Sequence, residues 1–545
     1  MKFMTREVLL IAAMWALAGC GGGGGNSTPL GGNPGTDPGG GMSSGGSGGI
    51  VGGNNGYIPG IFNPSSTYAK QCAAPRAGTD DQSGSTFTEN MFLRSWTNDL
   101  YLWYGEVPDT NPRGLSTEEY FQGLKTPLTT PSGRAKDQFH FTYPTAAWEE
   151  LSEGGIEVGY GAQWVILAQR PPRKVVIAFV EPGSPAATQD LSRGGEVLTA
   201  DGVDVINADT DAAVDQLNAA FFPVDPGEQH VFTIRYADGQ TRIVTLTSSE
   251  ITHQPVLMSG VINQSGVPVG YLVFNDHIAT AEGQLRTAVN ALGNAGIQDL
   301  VLDLRYNGGG YLAIASQLAY MIAGNSRTSG QTFEKLVFND KHPNTNPVTG
   351  QPLEPTPFHT TTLGFSGTVG VPLPRLNLER VYVITSNNTC SASEAIINGL
   401  RGVDVQVYQI GSTTCGKPYG FYPQDNCGTT YFSIQFQGLN AKDEGNYSDG
   451  FAPANSQDAA SIKLPGCSVA DDFTRQLGDP LEGRLAAALA FRASNNTVCP
   501  AASGAMPIPG VSAKQSLSRA DGIMFKSPAR ENRIMRKDLG NSLSF

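Results

Sequence analysis

Three short segments of the 545-residue chain combine residue types that can activate a hydroxyl and receive negative charge. The first, Asp303-Leu-Arg-Tyr-Asn-Gly-Gly-Gly310, lies between an apolar run and a helical pattern. Three glycines at such a turn leave backbone N–H groups exposed and aimed, which suits a phosphate or an oxyanion. A nucleotide-binding P-loop needs Gly-Lys-Ser/Thr here, and no such tripeptide follows, so the oxyanion reading is retained. The second segment, Asn388-Thr-Cys-Ser-Ala-Ser-Glu394, puts a hydroxyl at a helix N-terminus, where the macrodipole favours developing negative charge. Ser391 or Ser393 with Glu394 also reads as a helix-capping pair, the plainer use of these residues taken alone. The third, Thr414-Cys-Gly-Lys-Pro-Tyr-Gly420, presents Lys417 in a loop constrained by Gly416 and Pro418, against the alternative of a solvated loop lysine. Serine is a weak nucleophile until a base takes its proton, and no His stands in a Gly-x-Ser-x-Gly context. Lysine can be that base only when neutral. Its pKa would have to fall from ~10.4 by about 3 units, roughly 4 kcal/mol, through burial or nearby positive charge.

The elements that must position these segments are legible as an α/β alternation over about 256–502. Val269–Phe274 precedes a helix over 279–295, Leu300–Leu304 one over 312–322, and Val381–Thr385 one over 393–401. Residues 154–250 read differently, as short β-type runs at 163–168, 174–180 and 230–236 with one helix over 210–220. Residues 86–150 form a small helical cap, its apolar and aromatic positions Phe92, Leu93, Trp96 and Leu100 spaced as a core stripe rather than a ligand face.

Leu302-Asp-Leu-Arg-Tyr-Asn-Gly-Gly-Gly310, then Ser391-Ala-Ser-Glu394, then Gly416-Lys417 together resemble the C-terminal processing, or tail-specific, peptidases, a Ser/Lys family carrying a PDZ domain. The resemblance covers roughly 154–453. It implies an α/β (α+β) peptidase core with an inserted or preceding PDZ-like β-rich module, Ser391 as nucleophile and Lys417 as general base. By the same resemblance the amides of Gly308 or Gly309 and Ala392 form the oxyanion hole. Glu181-Pro-Gly-Ser-Pro-Ala-Ala187 and Gly194–Val203 resemble the family's PDZ pattern, and Gly159-Tyr160-Gly161-Ala162 its loop for a peptide C-terminus. Glycines there allow several N–H groups to converge on a carboxylate. Three departures stand out: Gly195 where the family usually has Asp, Phe421 where it often has a Gln that orients the lysine, and the insert-like 326–364. Glu394 is taken as the third catalytic residue, with Gln424 and Asp404 as equal substitutes.

The N-terminus bears on location. Lys2 and Arg6 precede the apolar run Val8–Gly19, and Leu17-Ala-Gly-Cys20 resembles a bacterial lipobox, which implies lipidation at Cys20 after removal of 1–19 and a membrane-anchored, exported protein of the cell envelope. Residues 20–85 read as a Gly-rich flexible tether, and 503–545 as a disordered tail. Six further cysteines allow up to three disulfides among 15 pairings. Cys415 and Cys427 are near enough for a local loop around Lys417, and cysteines beside both Ser391 and Lys417 suggest bridging at the site. No Cys-x-x-Cys occurs and the six His are scattered, so neither metal nor other cofactor is expected. A net charge of -13 without a basic stripe argues against nucleic acid and leaves proteins or peptides as partners. The competing reading is an inactive, lipid-tethered PDZ-type scaffold that binds peptides without cleaving them.

Overall fold

The computed structural model describes residues 56–168, 171–503 and 533–535. The lipobox-like segment with Cys20 and most of the 503–545 tail lie outside the described residues. Helix α1 (Thr86–Leu100) starts where Ser85 and Thr88 cap each other, and α2 (Thr117–Gly123) where Ser116 and Glu119 do the same. Phe92, Leu93 and Trp96 pack on Tyr120 and Phe121, so the aromatic stripe is core. A disulfide from Cys72 to Cys427 staples the segment ahead of α1 to the core domain. This corrects the expected Cys415–Cys427 loop: the hairpin of Gln424–Asn426 with Thr429–Phe432 turns Cys427 away from Cys415 and towards Cys72.

The β-rich module is an antiparallel sheet. Its strands are β1 (Ala162–Ala168), β2 (Lys174–Val180), β3 (Glu196–Ala200), β4 (Gln229–Arg235) and β5 (Thr241–Thr247), in the order β5-β4-β3-β2-β1, with α3 (Asp211–Phe221) packed on it. Successive side chains of a strand point to opposite faces, and β2 uses both. Val175 and Ile177 enter the module's own core, while Val176 and Ala178 pack against the catalytic-region sheet. Gly195 has a local reason: a Cβ there would lie 2.8 Å from Ile234 Cγ2 and 3.1 Å from Ile177 Cδ1, so the side chain expected at that turn has no room.

The larger sheet comprises β6 (Val256–Gln264), β7 (Val267–Phe274), β8 (Asp299–Asp303), β9 (Arg380–Thr385), β10 (Gln406–Gly411) and β11 (Gly466–Ser468), in sequential order; β6 pairs antiparallel and the rest are parallel. Parallel strands must be covered on both faces. Leu272, Leu300, Leu302, Val381 and Val383 face one layer with α4 (Ala281–Asn294), α5 (Leu312–Ala323) and α6 (Ala392–Gly402). Tyr271, Val301, Tyr382 and Ile384 face the other, with α7 (Gly483–Ala493) and β2. The insert-like stretch contributes Thr332–Val337, which pairs with Phe436–Leu439 in a smaller sheet. Arg533–Met535 of the tail runs parallel beside Gly309–Tyr311.

Candidate active site

The carboxyl ends of three neighbouring parallel strands are where an α/β sheet exposes its loops for ligands, and β8, β9 and β10 run in turn into the three segments singled out from the sequence. After β8 the chain passes through Arg305, Tyr306 and Asn307 to the glycines. The positive φ of Gly310 is accompanied by a close approach: a Cβ there would sit 2.5 Å from the His277 carbonyl. Asn307 is the hub of the turn. Its side chain donates to Phe274 O at 2.9 Å, and its Oδ1 accepts from Gly309 N at 3.0 Å and lies 2.9 Å from His277 Nδ1. The Gly309 amide is thereby occupied, whereas Gly308 lines the adjoining cavity.

After β9, Ser386 and Thr389 donate to the carbonyls of Arg305 and Leu304, fastening this loop to the previous one. Cys390 N and Ser393 Oγ both reach Asn307 O, at 3.1 Å each, which commits the Ser393 hydroxyl to structure. Ser391 is fully buried at the start of α6 with φ 63°, in the left-handed region. A non-glycine residue held there costs of order 1–3 kcal/mol, a pattern found where a side chain must be aimed. Among the described residues its Oγ has no hydrogen-bond partner.

Glu394, one turn into α6, gathers both loops. It accepts from Ser391 N at 3.0 Å, Thr414 Oγ1 at 2.5 Å, Gly416 N at 2.9 Å and Lys417 N at 2.8 Å. Burial pushes its carboxyl upward, and these donors oppose that by favouring the carboxylate. Its geometry is that of a group fixing Lys417 through the backbone. Asp404 instead pairs with Lys442 on the surface, and Gln424 bonds the carbonyl of Asp425, so neither joins the site. The amine of Lys417 is fully buried, 4.3 Å from the ring centre of Phe421 and 4.9 Å from that of Phe139. The residue at the position expected for an orienting Gln therefore packs a ring face on the lysine. Phe139 comes from a segment ahead of the β-rich module and had no local signal. Asn307, Thr414 and His277 were likewise not singled out, although Asn307 sits within the glycine motif itself.

A cavity of about 730 Å³ joins this region to the β-rich module, with Tyr160, Gly161 and Trp164 on one wall and Tyr306, Gly308 and Asn388 on the other. The Gly159–Ala162 loop is fixed there by Tyr160 Oη donating to Ala220 O at 2.9 Å and by Glu181 N donating to Gly161 O at 2.7 Å. Arg193 of the module bonds Tyr306 and Asp471, tying the wall to the glycine turn.

Residues 268–422, which hold all three segments, match the family model of peptidase family S41. The chain carries an S41 peptidase domain. A carboxyl-terminal-processing protease of Picosynechococcus sp. is 25% identical over 269 residues, 49% of this chain and 55% of that protein, so the chain spans about half the length of this curated relative. A crystal structure assigned to the S41 proteases of Bacteroides fragilis is 23% identical, with a TM-score of 0.55 over 75% of this chain and 98% of the other, a likeness of fold. The S41 domain accounts for the strands and loops around Ser391 and Lys417; the module at 154–250 and the α1–α2 segment lie outside the matched residues.

Proposed function

We propose that the chain is a serine endopeptidase of the C-terminal processing type, with Ser391 as nucleophile and Lys417 as general base. The observation that carries this reading is that three adjacent strand ends supply a buried serine at positive φ, a buried lysine amine and a glycine turn, the first and second tied through the Glu394 carboxylate, with Gly308 and Asn388 of the same loops lining the cavity. Lys417 takes the Ser391 proton as Oγ attacks the substrate carbonyl, then returns it to the leaving amine, and the acyl-enzyme is hydrolysed by water activated in the same way. That role requires a neutral amine, and the amine lies fully buried against the rings of Phe139 and Phe421. The amides of Gly308 and Ala392 receive the oxyanion, since that of Gly309 is held by Asn307. Substrates are protein C-termini, their carboxylate captured by Gly159–Ala162 and their chain led along the cavity to Ser391. The protein works in the cell envelope, anchored through Cys20, where its three disulfides are stable.

The test is cleavage of an unstructured protein with an apolar C-terminus by the full chain, against Ser391→Ala and Lys417→Met. Both variants are expected to lose at least about a thousandfold in kcat, and amidating the substrate's C-terminus should lower kcat/KM. Turnover retained by Lys417→Met would remove the lysine from the mechanism. A wild-type chain that binds the free tail without cleaving it would be the scaffold instead.

A further inference from the structure

The three disulfides differ in what they join. Cys72–Cys427 and Cys467–Cys499 staple segments near the two ends of the described chain to the body of the fold. Cys390–Cys415 joins the residue immediately before Ser391 to the residue two before Lys417, with a Cα–Cα distance of 5.2 Å. We propose that this bond is a positioning element for the Ser391–Lys417 pair, and that its reduction by a thiol switches the peptidase down. The inference rests on the function proposed above.

The argument is geometric. Ser391 and Lys417 stand on separate loops joined near the two residues by the disulfide, by the Cys415 N to Thr389 O bond at 3.0 Å, and by the Glu394 carboxylate shared between Ser391 N, Thr414 Oγ1, Gly416 N and Lys417 N, with Thr385 and Ser412 bonded to each other at the loops' strand ends. Cys415 Sγ lies 3.3 Å from Glu394 Oε2, the oxygen that accepts from both Ser391 N and Lys417 N. As a disulfide that sulfur has no proton to give. Reduced, it becomes an S–H donor beside a buried carboxylate and competes with those two amides, while the two sulfurs must separate from bonding to van der Waals distance in a closely packed interior. Both effects act on the loops that set the distance from nucleophile to base. Misplacing reacting groups by about 1 Å can cost ~100-fold in rate.

The chemical step balances as thiol–disulfide exchange. A reductant thiolate attacks the Cys415 sulfur, that residue being 8% exposed against 0% for Cys390, and expels Cys390 thiolate, which takes a proton. A second reductant thiol then releases Cys415 as a thiol. The reductant is oxidised to its disulfide by the two electrons the protein disulfide gains.

The experiment titrates the full chain with dithiothreitol without denaturant, maps freed thiols by alkylation, and follows kcat and KM on the cleaved substrate. Loss of about ten- to a hundredfold in kcat, in step with alkylation of Cys390 and Cys415, at unchanged KM and recovered on reoxidation, is the expected result. Cys390→Ala/Cys415→Ala should have low kcat that no longer responds to reductant, while Cys467→Ala/Cys499→Ala should remain responsive. Full kcat with Cys390 and Cys415 alkylated would overturn the inference, and because it uses the wild-type chain it does not depend on how the variants fold. Ser391→Ala run alongside separates the two readings: if it still cleaves, the proposed function fails; if it is inactive and the reduced wild type is fully active, only the disulfide inference does.

Discussion

Two buried basic side chains sit in the same domain in different surroundings. Arg305, two residues after β8, bonds Asp303 at 2.8–3.1 Å, Asp471 at 2.7 Å and Glu482 at 2.7 and 2.9 Å. Lys417 presents its amine to the faces of Phe421 and Phe139. Burying an ion costs several kcal/mol, which carboxylates at hydrogen-bond distance can offset and which a desolvated aromatic face, at about 2 kcal/mol, offsets only in part. The guanidinium is therefore permanently charged and structural, holding the glycine turn to the segment around 471–482. The lysine amine lies instead against two ring faces, and the role proposed for it requires a neutral amine there.

The largest effect that would test this contrast is on Arg305. Arg305→Met leaves Asp303 and Glu482 buried without the cation that pairs them, with Asp471 still held by Arg193, and should destabilise the protein by about 3–5 kcal/mol, read from denaturant midpoints. A loss below about 1 kcal/mol would mean that the network is no more than a solvated surface cluster. A smaller effect comes from acid. Burial alone would raise the carboxyls of Asp471 and Glu482, but Arg484, Arg305 and Arg193 hold the first well below the ordinary carboxylate range and Arg305 lowers the second. In this window the unfolded chain binds more protons than the folded one, so stability falls with falling pH. The contribution is complete above the unfolded values near pH 4 and is lost as pH drops through the lowered folded values. Asp471→Asn should cost stability near neutral pH and flatten the decline below about pH 4 in midpoints measured across that range; parallel curves for wild type and variant would break the assignment.

What the sequence could reveal follows the same division between local and distant determinants. The strand at 174–180, the helix at 312–323 and the placement of each chemical segment at a strand end are set by periodicity and turn glycines within a few residues, and they were legible. The third partner at the lysine was not. Phe139 reaches Lys417 from the other side of the β-rich module, and nothing near it in the chain marks the contact. Asp471 lies in irregular chain and Glu482 caps α7 through Leu485 N, so neither carried a sequence signal for the guanidinium they share. The disulfides fall between the two cases: closeness in sequence favoured Cys415 with Cys427, but it is strand pairing that decides which sulfurs meet.

The smallest expected change in stability is the most informative. Lys417→Met exchanges an amine for an unbranched thioether of similar length, which fits between two rings and makes favourable sulfur–aromatic contacts. If the amine is buried as a neutral base, no structural charge is lost, and the denaturant midpoint should correspond to a change within about 1 kcal/mol, with stabilisation a permitted sign, because a polar group has left an apolar pocket. Peptidase activity should vanish in the same sample. Arg305→Met under the same conditions gives the scale for a buried cation whose charge holds the fold together. Should Lys417→Met lose as much stability as Arg305→Met, the lysine is an ammonium paired into the structure, the contrast between the two cations disappears, and with it the case for Lys417 taking the proton of Ser391.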